Sequence, residues 1–352
     1  MKNTSFAISY TVKNEARLLA SAVDYHLASG CSKIYIFFDG TTDNTKELIR
    51  VDERISFFET TMPTELKELP SWIVNILPWW ITDMDVRKRI NTYYATKMAY
   101  EAGIEWLACI DPDELIAPYL NQSISSTLTP NFLSKIEDKY DQILLRNLEF
   151  VPTTSETQNP FKEDALFLNR FPVTETIWRY SSALVKRLVR SPRINAWYEY
   201  LFYRIRFNNA LPRLMKNPKT GDKIPASYFL GYSNHKSFIR TKCYDKYNFV
   251  THKWIKHSTA PKNIYSGYVL HYDLFDYKYL IEKFKQRSDH MLLVVFYFRY
   301  MLALVARDCT DEQVKQFYLK YIAITDKNKI EMLQQKKILL RIDEVSKFFN
   351  RI

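Results

Sequence analysis

Apolar stretches alternate with amphipathic ones along the first part of the chain, and this alternation predicts an α/β sheet. Apolar runs at residues 5–12, 33–38 and 55–58 are each typical of a buried strand. Between the first two runs, apolar side chains recur at helical spacing up to Gly30, a residue suited to ending a helix. Strands connected through helices form right-handed crossovers, so we expect them to be parallel. The residues on this helix face are Leu18, Leu19, Val23, His26 and Leu27.

A fourth strand is predicted to end in a cluster of carboxylates. The spacing of residues 85–102 predicts a long helix, and the apolar run at 106–110 follows it closely. Asp111, Asp113 and Glu114 come immediately after that run. Open α/β sheets bind ligands beyond the carboxyl ends of their strands, and Mg²⁺ or Mn²⁺ prefers carboxylate oxygens. Asp111-x-Asp113 is therefore a candidate clamp for a divalent metal and a diphosphate.

Beyond the first three strands the pattern becomes less regular. Residues 62–82 are rich in Pro and Trp and predict an inserted loop. The stretch 152–240 is loop-rich, aromatic and basic. The further elements expected are a helix at 46–50, strands at 142–150, 237–240 and 268–272, and helices over 274–308.

The C-terminal residues predict a basic amphipathic helix. Its apolar positions share one helical face, and Lys and Arg side chains lie mostly off that face. Such a helix usually packs on the core, and an anionic membrane surface or a partner subunit is the alternative. The apolar positions are Ile338, Ile342, Val345, Phe349 and Ile352.

Composition narrows the class of protein. The chain has 352 residues, of which 47% are hydrophobic, so it can bury a large core. It has only 6 glycines and no Gly-rich phosphate loop. The formal charge of +11 favours an anionic partner, such as nucleic acid, a membrane surface or a phosphorylated substrate. The 4 cysteines are scattered, which argues against a cysteine zinc site and suits a reducing cytosol.

No targeting or membrane-spanning segment is predicted. Charged residues within positions 1–20 argue against a secretory signal. The most apolar stretch, 291–306, is interrupted by Arg299 and is shorter than a spanning helix needs. We therefore expect a cytoplasmic protein, with the anionic inner membrane surface as a candidate peripheral contact.

Five motifs occur along the chain in a defined order. A Thr-Val-Lys-Asn-Glu turn spans residues 11–15, and an Asp-Gly-Thr-Thr-Asp-Asn-Thr turn spans 39–45. The tryptophan-led strand at 106–114 ends in Asp-Pro-Asp-Glu, and two late histidine segments span 250–253 and 270–272. Together these motifs resemble those of GT-A fold nucleotide-sugar glycosyltransferases, most closely the family-92-type and family-2-like members.

The resemblance implies an α/β fold of GT-A type: a Rossmann-like, mostly parallel central sheet with flanking helices and a C-terminal helical extension. It covers about residues 5–60, 85–120 and 235–290. Thr41-Thr42 stands where the family often has a serine after the aspartate, which is a mild departure from the pattern. The implied catalytic domain spans 1–272, with a nucleotide-binding half at about 1–120 and an acceptor-side half at about 121–272, and the helical region spans 273–352.

The resemblance also implies an activity. It is the transfer of a sugar, with inversion, from a nucleotide-diphosphate donor to a glycan or lipid-linked acceptor, in surface polysaccharide or glycoconjugate synthesis. A UDP-sugar is the favoured donor, and the metal is Mn²⁺ or Mg²⁺. Asp113 would be the closer metal ligand, Asp111 would contact the ribose or the metal, and His252 or His271 would complete the metal shell. The donor's uracil or ribose would be contacted by Thr11, Val12, Glu15 and Asp39.

An inverting transfer needs a general base that removes the proton of the acceptor hydroxyl. Glu175 and Asp164 lie in the predicted acceptor-side loops and are candidates. Spacing does not distinguish them from Glu163 or Glu114. The aromatic residues that could stack on an acceptor sugar are Trp178, Trp197 and Tyr198.

Three other activities compete with this interpretation. A nucleotidyltransferase would need a Gly-rich basic loop near the N-terminus, which residues 11–17 lack. A nucleic-acid-binding protein would suit the positive charge, yet no zinc-finger or RNP motif is present, so no nucleic-acid partner is expected. A retaining glycosidase needs carboxylates on opposite walls of a cleft, whereas Asp111 and Asp113 follow one strand.

Overall fold

The computed structural model describes residues 4–65, 67, 69–163, 165–169, 214–225, 235–285 and 297–351, together with positions 181, 184, 188 and 194. The chain divides into two compact units. The first comprises Met1–Asn147 and Asn234–His271, and the second comprises Leu148–Ser233 and Tyr272–Ile352.

Strands and helices alternate in the N-terminal part of the first unit, as the apolar pattern predicts. The strands are β1 Phe6–Val12, β2 Lys33–Phe38, β3 Ile55–Glu59, β4 Trp106–Cys109, β5 Glu114–Ala117, β6 Gln142–Glu149, β7 Leu166–Leu168, β8 Leu214–Lys216, β9 Lys223–Pro225, β10 Lys236–Arg240, β11 Tyr247–Val250, β12 Lys253–Lys256, β13 Asn263–His271 and β14 Leu339–Arg341. The helices are α1 Leu19–Ala28, α2 Ser71–Ile76, α3 Met84–Glu101, α4 Leu128–Leu133, α5 Tyr277–Lys285, α6 Tyr297–Asp308, α7 Asp311–Tyr321, α8 Lys327–Gln335 and α9 Glu344–Phe349.

An eight-stranded mixed sheet forms the centre of the first unit. Its strand order is β3-β2-β1-β4-β10-β6-β13-β5. The first four strands in this order are parallel, and β10 then pairs antiparallel with both β4 and β6. At the far edge, β5 pairs antiparallel with β13. The predicted Rossmann-like α/β fold with additional C-terminal helices is therefore confirmed.

The short connection between β4 and β5 forces this sheet to curl. Three strands lie between them, so a flat sheet would hold them roughly 19 Å apart. Residues 110–113 join them and reach at most roughly 18 Å when fully extended. Glu114 N–H donates to the carbonyl of Asp111 at 3.0 Å, so the connection is folded rather than extended. The two strands can be adjacent in sequence only because the sheet bends back towards itself.

Helix α3 places polar side chains against the sheet. Asp83 caps its first turn by accepting from the N–H of Asp85 at 2.8 Å. The helix packs on β1 and β4, and its buried face includes Lys88, Asn91 and Thr92 as well as apolar residues. Burying a polar group costs free energy unless the group has hydrogen-bond or ion-pair partners. The polar residues on this face therefore indicate a role besides packing.

Before the C-terminal segment, two predicted elements differ from the structure. The segment 46–50 forms turns rather than a helix, because so few residues cannot offset the cost of helix nucleation. The insert at 62–82 contains α2 and a 3₁₀ turn at Leu77–Trp79 instead of being a simple loop. Of the helices expected over 274–308, the structure describes α5 and α6.

The prediction of one C-terminal amphipathic helix is wrong, although four of its five apolar positions are buried; the fifth, Ile352, lies outside the described residues. The segment forms β14, which pairs with β7, followed by the short helix α9. Ile338, Ile342, Val345 and Phe349 are all buried in the second unit. Burial leaves these side chains unavailable to a membrane surface. Within the described ranges, no helix is both long enough and apolar enough to cross a membrane.

Aromatic packing forms part of the core of the second unit. Tyr272 stacks on Phe150, with ring centroids 4.9 Å apart, and meets Phe161 and Phe167 edge to face at 4.7 and 5.4 Å. The hydroxyl of Tyr318 donates to the carbonyl of Leu274 at 2.7 Å. These contacts fix the chain directly after β13, where it leaves the central sheet.

Replacing Gly30 with alanine tests the close approach at the end of α1. Gly30 has a φ of +92°, and an added Cβ would meet Ser126 O and lie 2.9 Å from Pro130 Cδ. We expect Gly30→Ala to lower the free energy of unfolding by the cost of a left-handed residue, about 1–2 kcal/mol, plus about 1–3 kcal/mol for the clash. Chemical denaturation measures the loss.

Gly103→Ala is the matched control. Gly103 has a φ of +71°, but nothing lies within 4 Å of an added Cβ. It should lose only the backbone part, about 1–2 kcal/mol. Equal losses for the two variants would contradict the close approach.

Candidate functional site

A tight turn after β4 orients the predicted carboxylates. Glu114 N–H donates to Asp111 O at 3.0 Å, and Asp111 N–H donates to Glu114 Oε2 at 2.9 Å. Pro112, between the two aspartates, has a fixed φ and no N–H to satisfy. These two reciprocal hydrogen bonds between Asp111 and Glu114 close the turn, so Asp111 and Asp113 have defined positions.

Two buried lysines bind Asp111. Lys88 of α3 donates to Oδ1, and Lys236 of β10 donates to Oδ2 at 2.7 Å. Burial alone would raise the pKa of Asp111, but the ammonium groups of Lys236 and Lys88 outweigh it and hold the pKa well below its usual range. Asp111 is therefore a carboxylate with both oxygens engaged, and about a third of its side chain remains exposed (34%).

Lys236 also binds Glu114, with Nζ 2.9 Å from Oε2. Both side chains are 1% exposed, so this is a buried ion pair. Burial raises the pKa of Glu114, while the Lys236 ammonium acts in the opposite direction. The sequence did not predict either lysine, because a charged residue in an apolar strand or on a helix face gives no sign of its partner.

Asp113, His271 and Asp273 form a group able to hold a metal. The pairing of β5 with β13 sets Glu114 opposite His271, and Asp113 Oδ2 lies 3.7 Å from His271 Nε2. One ligand atom from each of the three buried side chains lies within 4.8 Å of the others. Two carboxylates and an imidazole suit Mn²⁺, and their oxygens also suit Mg²⁺. The residues present therefore fit the divalent ion that the sequence predicts.

Asp273 was missed by the sequence reasoning. It follows His271 by two positions and accepts a hydrogen bond from Lys283 Nζ at 2.6 Å. The signal available was the period of two, since alternate residues of an extended chain lie on the same side. The other predicted histidine, His252, lies in the turn between β11 and β12, and the group does not include it.

Asp39 follows β2, which is parallel to β4 and is separated from it by β1. Its backbone N–H donates to Val12 O at 2.8 Å, which continues the β1–β2 pairing by one residue. Arg87 Nε donates to Asp39 Oδ1 at 2.7 Å, and Nη1 donates to Trp80 O at 2.6 Å. The second oxygen, Oδ2, is buried and has no hydrogen-bond partner within the described residues. It is therefore an acceptor that a ligand could use.

Asn14 joins the two N-terminal motifs. It has a φ of +56°, and its Oδ1 accepts from the backbone N–H groups of Thr42 and Asp43 at 2.8 and 3.3 Å. Glu15 N–H donates to Thr45 Oγ1 at 2.9 Å. The turn at residues 11–15 and the turn at 39–45 are thus one structure at the carboxyl ends of β1 and β2.

The structure places the other predicted contacts as follows. Thr11 and Val12 are the last residues of β1, and Thr11 Oγ1 accepts from Asn91 Nδ2 at 3.2 Å. Glu163 accepts from Thr157 Oγ1 at 2.7 Å in the second unit. The remaining base and stacking candidates, Asp164, Glu175, Trp178, Trp197 and Tyr198, lie outside the described residues.

Comparison with known sequences agrees with the motifs. No protein-family profile matches the chain. Two Arabidopsis thaliana proteins, both named glycosyltransferase-like, are similar to it over 337 residues at 23% and 22% identity. The similarity covers 90% of this chain but 66% and 58% of those proteins, so the chain spans less than two thirds of their length. The resemblance to glycosyltransferases is confirmed at this level, and the family-92 type is not singled out.

Solved structures resemble the chain only weakly. HddC from Yersinia pseudotuberculosis has 8% identity and a TM-score of 0.31, covering 79% of this chain and 97% of that one. Glucosyl-3-phosphoglycerate synthase from Mycobacterium tuberculosis, solved with Mn²⁺, UDP and phosphoglyceric acid, has 13% identity and a TM-score of 0.25, covering 42% and 43%. 4-Diphosphocytidyl-2C-methyl-D-erythritol synthase from Anaerococcus prevotii has 14% identity and a TM-score of 0.24, covering 44% and 59%. At these TM-scores, no conclusion about this chain rests on them.

Replacing Lys236 with methionine should strongly destabilise the protein. The change leaves Glu114 buried without its cation, and such a loss costs about 3–5 kcal/mol. Adding Glu114→Gln to Lys236→Met should recover much of the loss, because the uncompensated charge is then gone. Urea denaturation of both variants and of Glu114→Gln alone measures the effect. Equal stability of Lys236→Met with and without Glu114→Gln would contradict it.

The instability of Lys236→Met should depend on pH. Glu114 already has a raised pKa in the folded protein, and removing the ammonium that opposes this raises it further. The folded state then binds more protons than the unfolded state, so stability falls as pH rises above the unfolded pKa. We expect a larger loss at pH 8 than at pH 6, and the Lys236→Met, Glu114→Gln variant should lack this dependence.

Proposed function

We propose that this protein is a metal-dependent glycosyltransferase that uses a nucleotide-diphosphate sugar, with a UDP-sugar favoured. The observation that carries the proposal is the group of Asp113, His271 and Asp273. Asp113 comes shortly after β4, and His271 and Asp273 lie at the end of β13. The unpartnered oxygen of Asp39 follows β2, which runs parallel to β4 in the same sheet. Open α/β sheets bind nucleotides at this end of their strands.

The chemistry of sugar transfer matches these side chains. Breaking the bond between the anomeric carbon and the diphosphate leaves negative charge on the departing oxygen. A bound Mn²⁺ or Mg²⁺ would neutralise part of that charge as a Lewis acid. Asp113, His271 and Asp273 would hold the ion, and Asp111, fixed by Lys88 and Lys236, would accept hydrogen bonds from the ribose or contact the ion.

The nucleoside end of the donor fits the first two strand ends. Thr11, Val12 and Glu15 line the turn after β1, and Asp39 lies beside them. Arg87 holds Asp39 Oδ1, so Oδ2 is fixed in place as an acceptor for a uracil N–H or a ribose hydroxyl. A positioned carboxylate of this kind favours a ligand with a hydrogen-bond donor.

The acceptor side of the proposal rests on the sequence. A glycan or lipid-linked glycan receives the sugar with inversion, in surface polysaccharide or glycoconjugate synthesis, and Glu175 or Asp164 is the base. The charge of +11 supports an anionic acceptor or peripheral contact with the inner membrane surface from a cytoplasmic location. With the C-terminal apolar residues buried, that contact would depend on basic side chains.

Replacing the metal-binding side chains should abolish transfer. We expect Asp113→Asn and His271→Gln to lower kcat/KM for a UDP-sugar by about 100-fold or more, since a metal contributes several kcal/mol and each ~1.4 kcal/mol is tenfold. Transfer or donor hydrolysis with added Mn²⁺ measures it, alongside EDTA-treated wild type.

His257→Gln is the control, because His257 is an exposed histidine between β12 and β13. His252→Gln decides between the two predicted histidines, and we expect it to retain more activity than His271→Gln. Full activity of Asp113→Asn in EDTA would exclude a metal-dependent reaction.

Asp39→Asn tests the nucleoside contact separately. The variant keeps an oxygen for Arg87 but loses the carboxylate charge, and a hydrogen bond to a charged group contributes about 1.5–3 kcal/mol. Calorimetric titration should therefore show that the affinity for UDP is lowered by about 10-fold or more, with the affinity for Mn²⁺ unchanged. Asp138→Asn, at a side chain that is 88% exposed, should bind UDP normally. Unchanged UDP affinity in Asp39→Asn would contradict the assignment.

A further inference from the structure

Strand β5 lies at an edge of the central sheet, yet its outward backbone groups are not left to water. Among the described strands, its only neighbour in the sheet order is β13. Ile116 is opposite Val269 in that pairing, and its own side chain is 1% exposed. A buried edge strand needs hydrogen-bond partners from another part of the fold.

Two consecutive side chains of α1 supply those partners. Tyr25 Oη donates to Ile116 O at 2.9 Å, and Ile116 N–H donates to His26 Nε2 at 3.2 Å. One residue of β5 is therefore held through both its carbonyl and its N–H. Tyr25 and His26 are each 1% exposed, so water does not compete for these bonds.

The protonation of His26 is set by its surroundings. Nδ1 lies 2.7 Å from Ala22 O and 2.9 Å from the hydroxyl of Tyr10. A carbonyl can only accept, so Nδ1 carries the proton and Nε2 accepts from Ile116. Burial lowers the pKa of His26 to about 3, which keeps the ring neutral and Nε2 free to accept. The imidazole is thus oriented from both sides.

Together with the turn at residues 111–114, the position of Ile116 sets how close Asp113 lies to His271. The β5–β13 register sets Glu114 opposite His271 and leaves Asp113 Oδ2 3.7 Å from His271 Nε2. A slip of one residue would move Asp113 by about 3.4 Å and turn every β5 side chain to the other face. β5 has only four residues, Glu114–Ala117, so its pairing alone resists such a slip weakly.

We propose that Tyr25 and His26 are positioning residues for the metal site: they hold β5 in register so that Asp113 stays beside His271. This inference rests on the proposed function, since it assigns the held geometry to metal binding. It also gives the Tyr-His pair of α1 a physical role that does not involve touching the ligand.

Mn²⁺ binding to variants of the full chain tests the inference. Tyr25→Phe removes the donor to Ile116 O, and His26→Leu removes the acceptor. We expect each to weaken Mn²⁺ binding, measured by calorimetric titration with the metal alone, by about 10–100-fold, the usual effect of losing support behind metal ligands. His26→Gln offers an amide oxygen to Ile116 N–H and should recover much of the affinity.

Tyr247→Phe is the matched control. Tyr247 is also a buried tyrosine, and its hydroxyl donates to Asp141 Oδ2 at 2.9 Å. It should lower stability with little effect on Mn²⁺ affinity. If Tyr25→Phe and His26→Leu bound Mn²⁺ as wild type does, or no more weakly than Tyr247→Phe, the inference would be wrong.

Backbone amide exchange gives a readout that does not need the metal. In the metal-free protein, the peptide covering residues 114–117 should be protected in wild type and His26→Gln, and should exchange at least about tenfold faster in His26→Leu and Tyr25→Phe. Unchanged protection would overturn the inference even if the wild type bound Mn²⁺. Failure of the wild type to bind Mn²⁺ would overturn the metal role and the proposed function together, while loss of protection would still show that Tyr25 and His26 hold β5.

Discussion

The buried ammonium of Lys236 is the contact on which the centre of the first unit depends. Its side chain is 1% exposed and bonds to Asp111 and Glu114, which stand on either side of a tight turn. Removing a cation from water costs several kcal/mol unless opposite charges are held close to it. Strand β10, the end of β4 and the start of β5 must therefore take up fixed positions relative to one another. The electrostatic requirement of one lysine thus fixes where the candidate site lies.

The two aspartates of the Asp-x-Asp motif have different surroundings as a result. Asp111 has both oxygens bound by lysines, whereas Asp113 lies beside His271 at the start of β5. Side chains two residues apart would share a face in a regular strand, but Pro112 and the closed turn separate their environments. The sequence predicts that both aspartates bind one metal and diphosphate. In the structure, Asp111 belongs to an ion-pair network with two lysines, and Asp113 belongs to the group that could hold a metal.

The sequence predicted what local patterns can show. Four parallel strands, the long helix α3 and the left-handed end of α1 at Gly30 follow from spacing and turn chemistry within short windows. The pairing of β5 with β13 and the partners of Lys88 and Lys236 depend on residues distant in the sequence, and the local pattern of a single sequence does not reveal them. At the C-terminus, burial of Val345 and Phe349 was predicted although the type of element was not, because apolar residues mark the core whichever backbone carries them.

Strands β10 and β13 come late in the sequence, and this order affects how the chain folds. Asp111, Asp113 and Glu114 emerge during synthesis well before Lys236 and His271, and only Lys88 precedes them among the cations that bind the turn. Contacts between residues so far apart form slowly, because a long loop must close before they are gained. The nascent sheet would therefore carry an acidic, incompletely neutralised edge until the last strands insert. Completion of the central sheet and completion of the site become the same event.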